Sequence, residues 1–157
     1  MATVAKPKKM RVFISFDYDH DDDLRVLLLG QAKHQDTPFS FEDWSIKQAS
    51  ADWKDKARAR IRRSAVLIVI CGYHTKSAVG VATEIQIARE EGVPFWLLRG
   101  RREGKGVPFW LLRGLRVGTC QWPKGTSWFW DRMHDWKWKN IESMCRAKTT
   151  PRWKRIW

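Results

Sequence analysis

The sequence has few cysteines and no long apolar run. Its three cysteines, Cys71, Cys120 and Cys145, are odd in number and widely spaced, which fits neither a disulfide framework nor a set of zinc ligands. No stretch approaches the roughly 20 apolar residues that a membrane-spanning helix needs. The basic residues 1–10 are not followed by the apolar core of a secretion signal. We therefore expect a cytoplasmic protein that has no metal site and no membrane segment.

The length of the chain favours a single domain. Its 157 residues are 43% hydrophobic, which suits one substantial core, whereas two domains would be cramped. We expect a disordered basic head over residues 1–9, one folded domain over residues 10–147 and a basic tail over residues 148–157.

Positive charge is concentrated in the C-terminal part. Residues 1–92 hold 15 Lys or Arg against 13 Asp or Glu, whereas residues 93–157 hold 15 against 4. Nine of the eleven tryptophans also lie between Trp96 and Trp157. Interleaved basic and aromatic side chains can bind single-stranded nucleic acid by stacking and phosphate contacts. The alternative, which we favour, is a solvated basic surface over a Trp-rich packing layer.

Strand and helix patterns alternate in the first hundred residues. The stretch Ala65–Cys71 has no polar alternation, which is typical of a central strand in a parallel sheet covered on both faces. Apolar residues after it recur at helical spacing up to Gly92, a residue that suits a helix C-terminus. The predicted strands are 10–16, 39–41 and 65–71, and the predicted helices run from 24 to about 35, from an N-cap at Ser50, and from 78 to about 92.

The sequence contains one internal repeat. The nine residues Gly92–Gly100 recur letter for letter as Gly106–Gly114, which indicates a local tandem duplication. One copy supplies a fourth strand, and the other is either a fifth strand, paired with the sheet or with a second chain, or a looped-out insertion. Beyond the repeat we predict a loop over 117–127 and a closing helix over 135–144, with its inward face formed by Trp138, Ile141 and Cys145.

The repeated order of strand, loop and helix predicts an α/β fold. Right-handed βαβ crossovers at this spacing favour a flavodoxin-like, doubly wound, mainly parallel sheet of about five strands with helices on both faces. Ligands of such sheets bind beyond the carboxyl ends of the strands. The candidate binding residues are therefore those in the loops that follow the predicted strands.

The loop after the first strand is rich in acidic and aromatic residues. Tyr18 is placed to stack on a ring of a ligand, and Phe16 is placed to form a pocket wall beside Asp17. The alternative is an acidic loop that only leads into the first helix, whose dipole favours carboxylates at its N-terminus.

The second and third loops carry further candidates. Trp44, together with Asp43 and Ser45, either contacts a ligand or attaches its loop to the core. Tyr73 and His74 precede the third predicted helix, whose backbone amides suit a pyrophosphate. His74 is otherwise a surface residue without a catalytic role.

Five segments form a recognisable combination, namely Arg11–Asp19, Glu42–Ser45, Arg60–Ser64, Thr83–Pro94 and Asp135–Ile141. Together they resemble the TIR-like family that includes the NAD-processing subunits of Thoeris anti-phage systems. The resemblance extends over roughly residues 10–146, and it implies a flavodoxin-like sheet.

The resemblance also implies an activity. Active members of that family cleave NAD into nicotinamide and a cyclic ADP-ribose isomer, a soluble signal that reaches a partner effector. It implies Glu84 as the catalytic glutamate, because a positioned carboxylate can stabilise positive charge that develops on the ribose. Thr83, beside it in the motif, is counted with the substrate-binding residues. NAD would be a substrate, so no cofactor is expected; the alternative for Glu84 is an ordinary solvated helix residue.

Two other functions stay open. One is a non-catalytic TIR-like module, in which the same loops bind a ligand or another TIR domain, so that the chain self-associates through TIR surfaces. The other is a receiver-like phosphoacceptor, which the acidic cluster near the first strand suggests. The second is less well supported, because Cys71 and Gly72 stand where the phosphoacceptor aspartate would follow the third strand.

Overall fold

A computed structural model describes residues 10–45, 50–100, 120–127 and 132–146. No helix within these ranges has the length and apolar character needed to cross a membrane. A short 3-10 turn, Thr75–Ser77, lies between the third strand and the third helix. The elements in chain order are β1 (Met10–Ser15), α1 (Asp22–Lys33), β2 (Phe41–Asp43), α2 (Trp53–Arg63), β3 (Val66–Cys71), α3 (Val79–Glu91), β4 (Phe95–Arg99), β5 (Met133–Asp135) and α4 (Trp138–Arg146).

The strands form one parallel sheet. Its order in the described residues is β2-β1-β3-β4-β5, and every neighbouring pair is parallel. This is the strand order of the flavodoxin-like fold, in which the chain leaves β1 in one direction and then winds back across it. The predicted flavodoxin-like α/β class is therefore confirmed.

The helices cover both faces of the sheet. On one face α1 and α4 pack against alternate strand residues such as Ile14, Ile68 and Leu98. On the other face α2 and α3 pack against the intervening residues, such as Phe13 and Leu67. All six residues of β3 are buried, because this central strand is covered by helices on both sides.

The first copy of the repeat supplies the fourth strand. Gly92 ends α3 with a φ of 71°, a left-handed conformation that glycine adopts without steric cost. The chain then enters β4, which lies within that first copy. The second copy, residues 106–114, lies outside the described residues, as do the predicted head, residues 1–9, and tail, residues 148–157. The fifth strand within the described residues is β5, from a segment that we had not predicted as a strand.

Several predicted boundaries need correction. Strand β2 lies two residues later than predicted, so Asp43 ends the strand instead of following it. Helix α2 begins at Trp53 with Asp52 at the capping position, and Ser50 is not its N-cap. The closing helix begins three residues later than predicted, because Met133–Asp135 pairs with β4 as β5.

The inward position predicted for Trp138 was wrong. Its side chain is 43% exposed, because it lies in the first turn of α4 at the margin of the buried face. That face is formed by Ile141, Met144 and Cys145. The neighbouring Trp136 packs against the core instead, and its indole N–H donates a hydrogen bond to Gln31 Oε1 at 2.9 Å.

The Trp-rich C-terminal part is only partly described. Within the described residues, Trp96, Trp122 and Trp136 are partly buried and pack against the two core clusters, and Trp138 is the exposed one. These residues favour the packing interpretation of the aromatic excess. The other five tryptophans of this part and nine of its fifteen basic residues lie outside the described residues, so nucleic-acid binding stays a prediction.

Candidate functional site

The carboxylate of Glu84 is buried at the carboxyl end of the sheet. Glu84 is the sixth residue of α3, and only 1% of it is exposed. The hydroxyl of Ser15, the last residue of β1, donates a hydrogen bond to Glu84 Oε2. Ser15 is itself fully buried. Glu84 is therefore not the solvated helix residue that we considered as the alternative, because a helix residue at this position points into the sheet.

An aromatic pair lies beside this carboxylate. The rings of Phe16 and Tyr18 are 4.1 Å apart and tilted by 42°. Burial, followed by the negative charge of Glu84, raises the pKa of Tyr18 to about 12, and the positive charge of Arg25 opposes that shift. The Tyr18 hydroxyl therefore lies within electrostatic reach of Glu84, and it is protonated at neutral pH.

A pocket of about 430 Å³ opens next to these residues. One wall is the loop after β1, with Phe16, Asp17, Tyr18 and His20, and the other wall is the start of α3, residues 77–81. A volume of this order is typical of a small-molecule site. The N-terminus of α3 forms this second wall, and a helix N-terminus favours anions. Val81 lines the pocket one turn before Glu84, so the carboxylate lies just behind the wall.

Asp17 organises the loop after β1. Its Oδ1 accepts a hydrogen bond from the Asp19 N–H at 3.1 Å, and its Oδ2 lies 2.7 Å from His20 Nδ1. Its carbonyl accepts a hydrogen bond from the Asp21 N–H at 2.8 Å. The ring of His20 stacks on that of His74, with 3.9 Å between centroids. The loops after β1 and β3 are thus in contact at the rim of the pocket.

Asp43 and Ser45 are joined to this site through Arg25, which sequence reasoning missed. The Asp43 Oδ1 accepts hydrogen bonds from the Ser45 N–H at 2.9 Å and the Ser45 hydroxyl at 2.5 Å. The Arg25 guanidinium donates to Asp43 Oδ2 at 3.1 Å and lies 5.7 Å from the centre of the Phe16 ring. The signal in the sequence was slight, namely one basic residue in the first turn of an acidic helix.

Trp44 is turned toward the edge of the sheet. The Arg11 guanidinium lies 4.6 Å from the centre of its ring, and its indole N–H donates to Glu42 at 3.1 Å. Its carbonyl accepts a hydrogen bond from Arg60. It does not line the 430 Å³ pocket in the described part of the chain. Of the two roles that we considered, these contacts favour attachment of the loop.

The remaining candidates lie around α3. Thr83 donates a hydrogen bond from its hydroxyl to the Val79 carbonyl at 3.0 Å, within its own helix. Tyr73 is half-buried and His74 is exposed, both just before the 3-10 turn. Burial raises the pKa of the Cys71 thiol well above its usual value, so this cysteine is a core residue and not a nucleophile. The described residues contain no cluster of three or more side chains suited to a metal ion.

The family profile described as Thoeris protein ThsB, TIR-like domain, matches residues 13–100, which is more than half of the chain. Among solved structures, the chain is similar to the CMP N-glycosidase BcmB of Clostridium botulinum, at 18% identity and a TM-score of 0.44. That similarity covers 85% of this chain and 94% of the other. A search of curated proteins found no match. The chain belongs to the family of Thoeris ThsB TIR-like domains.

Proposed function

We propose that this TIR-like domain cleaves NAD into nicotinamide and a cyclic ADP-ribose product, as part of anti-phage defence. The observation that carries the proposal is the buried carboxylate of Glu84, which Ser15 holds at the carboxyl end of β1 beside the pocket. A flavodoxin-like sheet binds its ligands at this end. Membership of the Thoeris ThsB family supports the same reaction class.

The chemistry needs a fixed negative charge. Breaking the bond between nicotinamide and ribose leaves positive charge on the ribose, and a carboxylate stabilises that charge most strongly where water is excluded. Glu84 meets both conditions, because it is 1% exposed and Ser15 orients one of its oxygens. The bonding electrons leave with nicotinamide, which departs as a neutral molecule.

The pocket offers complementary groups for the rest of the substrate. The ring of Tyr18 supplies an aromatic surface for nicotinamide or adenine, and Phe16 supports it from behind. The N-terminal backbone amides of α3 suit the pyrophosphate. Arg25 is oriented by Asp43, and Ser45 fixes Asp43 in turn, so these three residues set the position of the aromatic wall.

We further propose that the product is a soluble signal for a separate effector and that the enzyme acts in the cytoplasm. Ring closure competes with hydrolysis, so it requires that water be partly excluded from the ribose. The proposed function is compatible with self-association through TIR surfaces. It is also compatible with nucleic-acid binding by the basic C-terminal part.

The alternative is a non-catalytic TIR-like module. One observation favours it, namely that Glu84 is covered and does not itself line the 430 Å³ pocket. In that case the hydrogen bond from Ser15 to Glu84 ties β1 to α3, and the same loops bind a ligand or another TIR domain without reaction.

The discriminating experiment is an assay of NAD cleavage. Purified protein is incubated with NAD, alone and with lysate from phage-infected cells, and nicotinamide and ADP-ribose products are followed by mass spectrometry. Glu84→Gln removes the charge and keeps the shape of the side chain. Glu90→Gln is the matched control, because Glu90 lies on the same helix but is exposed.

The two functions predict different results. The enzyme requires that the wild type and Glu90→Gln release nicotinamide and that Glu84→Gln does not. If all three proteins are silent in both conditions while the wild type still binds NAD or associates with itself, the binding module is the correct function.

A further inference from the structure

The loop after β1 holds a histidine in the geometry of a proton acceptor. His20 lines the pocket, and its Nδ1 lies 2.7 Å from the Asp17 carboxylate. Of the two neutral tautomers, this contact selects the one that carries its proton on Nδ1, because the carboxylate accepts that proton in a hydrogen bond. The lone pair of the neutral ring is then on Nε2.

The ring of His20 is also held in place. Asp17 is 9% exposed, and the Asp19 N–H donates to its other oxygen, which helps to orient the carboxylate toward His20. The ring of His74 stacks on one face of the His20 imidazole and so restrains the plane of that ring. His20 itself is about half-exposed, with 48% of its side chain accessible, which leaves a path for proton exchange with solvent.

The reaction proposed above has a step that needs such a group. After nicotinamide has left, an oxygen nucleophile, either water or a hydroxyl of the same ADP-ribose, can capture the cationic ribose carbon. The new carbon–oxygen bond forms from a lone pair of that oxygen, and its proton must move to a base. Glu84 is occupied with the cation, and the Tyr18 hydroxyl is protonated, since its pKa is raised to about 12.

We propose that His20 is the catalytic base that takes this proton on Nε2, and that Asp17 is a positioning residue that stabilises the resulting imidazolium. The proposal rests on the proposed NAD-cleaving function, which it deepens by naming the group for the second half of the reaction. The arrangement is that of a carboxylate orienting a histidine through Nδ1 while Nε2 exchanges the proton. The proton then passes to solvent, which regenerates the neutral ring.

A nucleophile without a proton tests this role directly. 3-Acetylpyridine captures the cationic ribose carbon through its ring nitrogen and has no proton to lose, so it exchanges with nicotinamide without a base. The experiment measures two products from NAD in parallel: oxygen-captured ADP-ribose, cyclic or linear, and the 3-acetylpyridine dinucleotide. The proteins are wild type, His20→Gln, His20→Ala, Asp17→Asn and Glu84→Gln.

His34→Gln is the matched control. His34 also lies beside an aspartate, with its Nδ1 3.7 Å from Asp36 Oδ2, but it stands at the C-terminal end of α1, away from the pocket. Thermal unfolding of each variant shows whether it is folded. The same effect from both His20 substitutions shows that the loss of histidine is the cause, and not the side chain that replaces it.

The expected pattern is a selective loss. His20→Gln and His20→Ala should lower oxygen capture by about 100-fold, in the range of general-base contributions, and should leave exchange with 3-acetylpyridine intact. Asp17→Asn should shift the same ratio in the same direction, and His34→Gln should leave both products unchanged. Equal effects of the His20 variants on the two products, or no effect on either, would overturn the inference and leave the proposed function standing. A wild type that makes neither product would overturn both.

Discussion

One methyl group added at Gly72 should destabilise the protein next to the candidate site. Gly72 follows β3, and a Cβ atom at this position would lie 2.3 and 2.4 Å from the two carboxylate oxygens of Asp21. Cβ contacts under 3.0 Å essentially never occur. Asp21 is 1% exposed, so its carboxylate has no solvent to move into.

The backbone of Gly72 cannot yield without losing hydrogen bonds. Its N–H donates to the Thr75 hydroxyl at 2.7 Å, and its carbonyl accepts from the Gln121 N–H at 2.9 Å. Overpacking of this kind costs about 1–3 kcal/mol. That corresponds to a decrease of about 5- to 150-fold in the folding equilibrium constant, and to a fall of about 2–12 °C in the unfolding midpoint for a chain of this length.

Gly30→Ala is the internal control for Gly72→Ala. Gly30 lies in the exposed face of α1, and a Cβ atom there would have nothing within 4 Å. The same chemical change should therefore stabilise the protein by about 0.5–1 kcal/mol, because alanine loses less backbone entropy than glycine in a helix. Urea denaturation followed by tryptophan fluorescence measures both. A Gly72→Ala protein as stable as wild type would refute the close packing of Asp21 against Gly72.

Three further predictions concern stability and ionisation. Hydrogen bonds from Arg62 and Arg58 of α2 hold the Glu91 pKa at about 2 instead of 4.5. The contribution of Glu91 to stability is therefore complete above pH 4.5 and is lost as the pH falls toward 2, so Glu91→Gln should flatten the acid limb of a denaturation profile. The pKa of Tyr18 is raised from 10 to about 12, so its contribution to folding stability is present below pH 10 and is lost as the pH rises toward 12. Glu84→Gln should lower that pKa, because it removes a neighbouring negative charge. The absorbance of tyrosinate measures the change in a chain with two tyrosines. Ile141→Ala should lower the free energy of unfolding, measured by urea denaturation, by about 2–5 kcal/mol, because Ile141 is fully buried. Trp138→Ala should lower it much less, because Trp138 is 43% exposed. Equal losses would contradict the orientation of α4.

The fold was predictable in the segments whose apolar residues follow one clear spacing. A continuous apolar run predicts β3, and apolar residues at helical spacing before Gly92 predict α3. The observed bounds of both elements agree with the prediction to within one or two residues. The short elements were harder. Strand β5 has three residues, and its sequence carries no alternation, so it exists because β4 offers it an edge to pair with.

The candidate site was predictable only in part. Phe16, Asp17 and Tyr18 line the pocket because they follow a central strand, which strand order alone implies. The hydrogen bond from Ser15 to Glu84 joins residues 69 positions apart, and the stack of His20 on His74 joins two separate loops. Such contacts depend on tertiary packing and leave no local pattern, which is also why Arg25 was missed.

In the proposed reaction, the buried Glu84 carboxylate stabilises the cationic ribose during NAD cleavage. The most direct measurement is the rate of nicotinamide release by wild-type protein and by Glu84→Gln, in the condition that gives the higher wild-type rate. We expect a loss of at least about 100-fold in the variant, as for removal of one preorganised charge, and thermal unfolding shows whether the variant is folded. Nicotinamide release by a folded Glu84→Gln protein at the wild-type rate would contradict this role of Glu84.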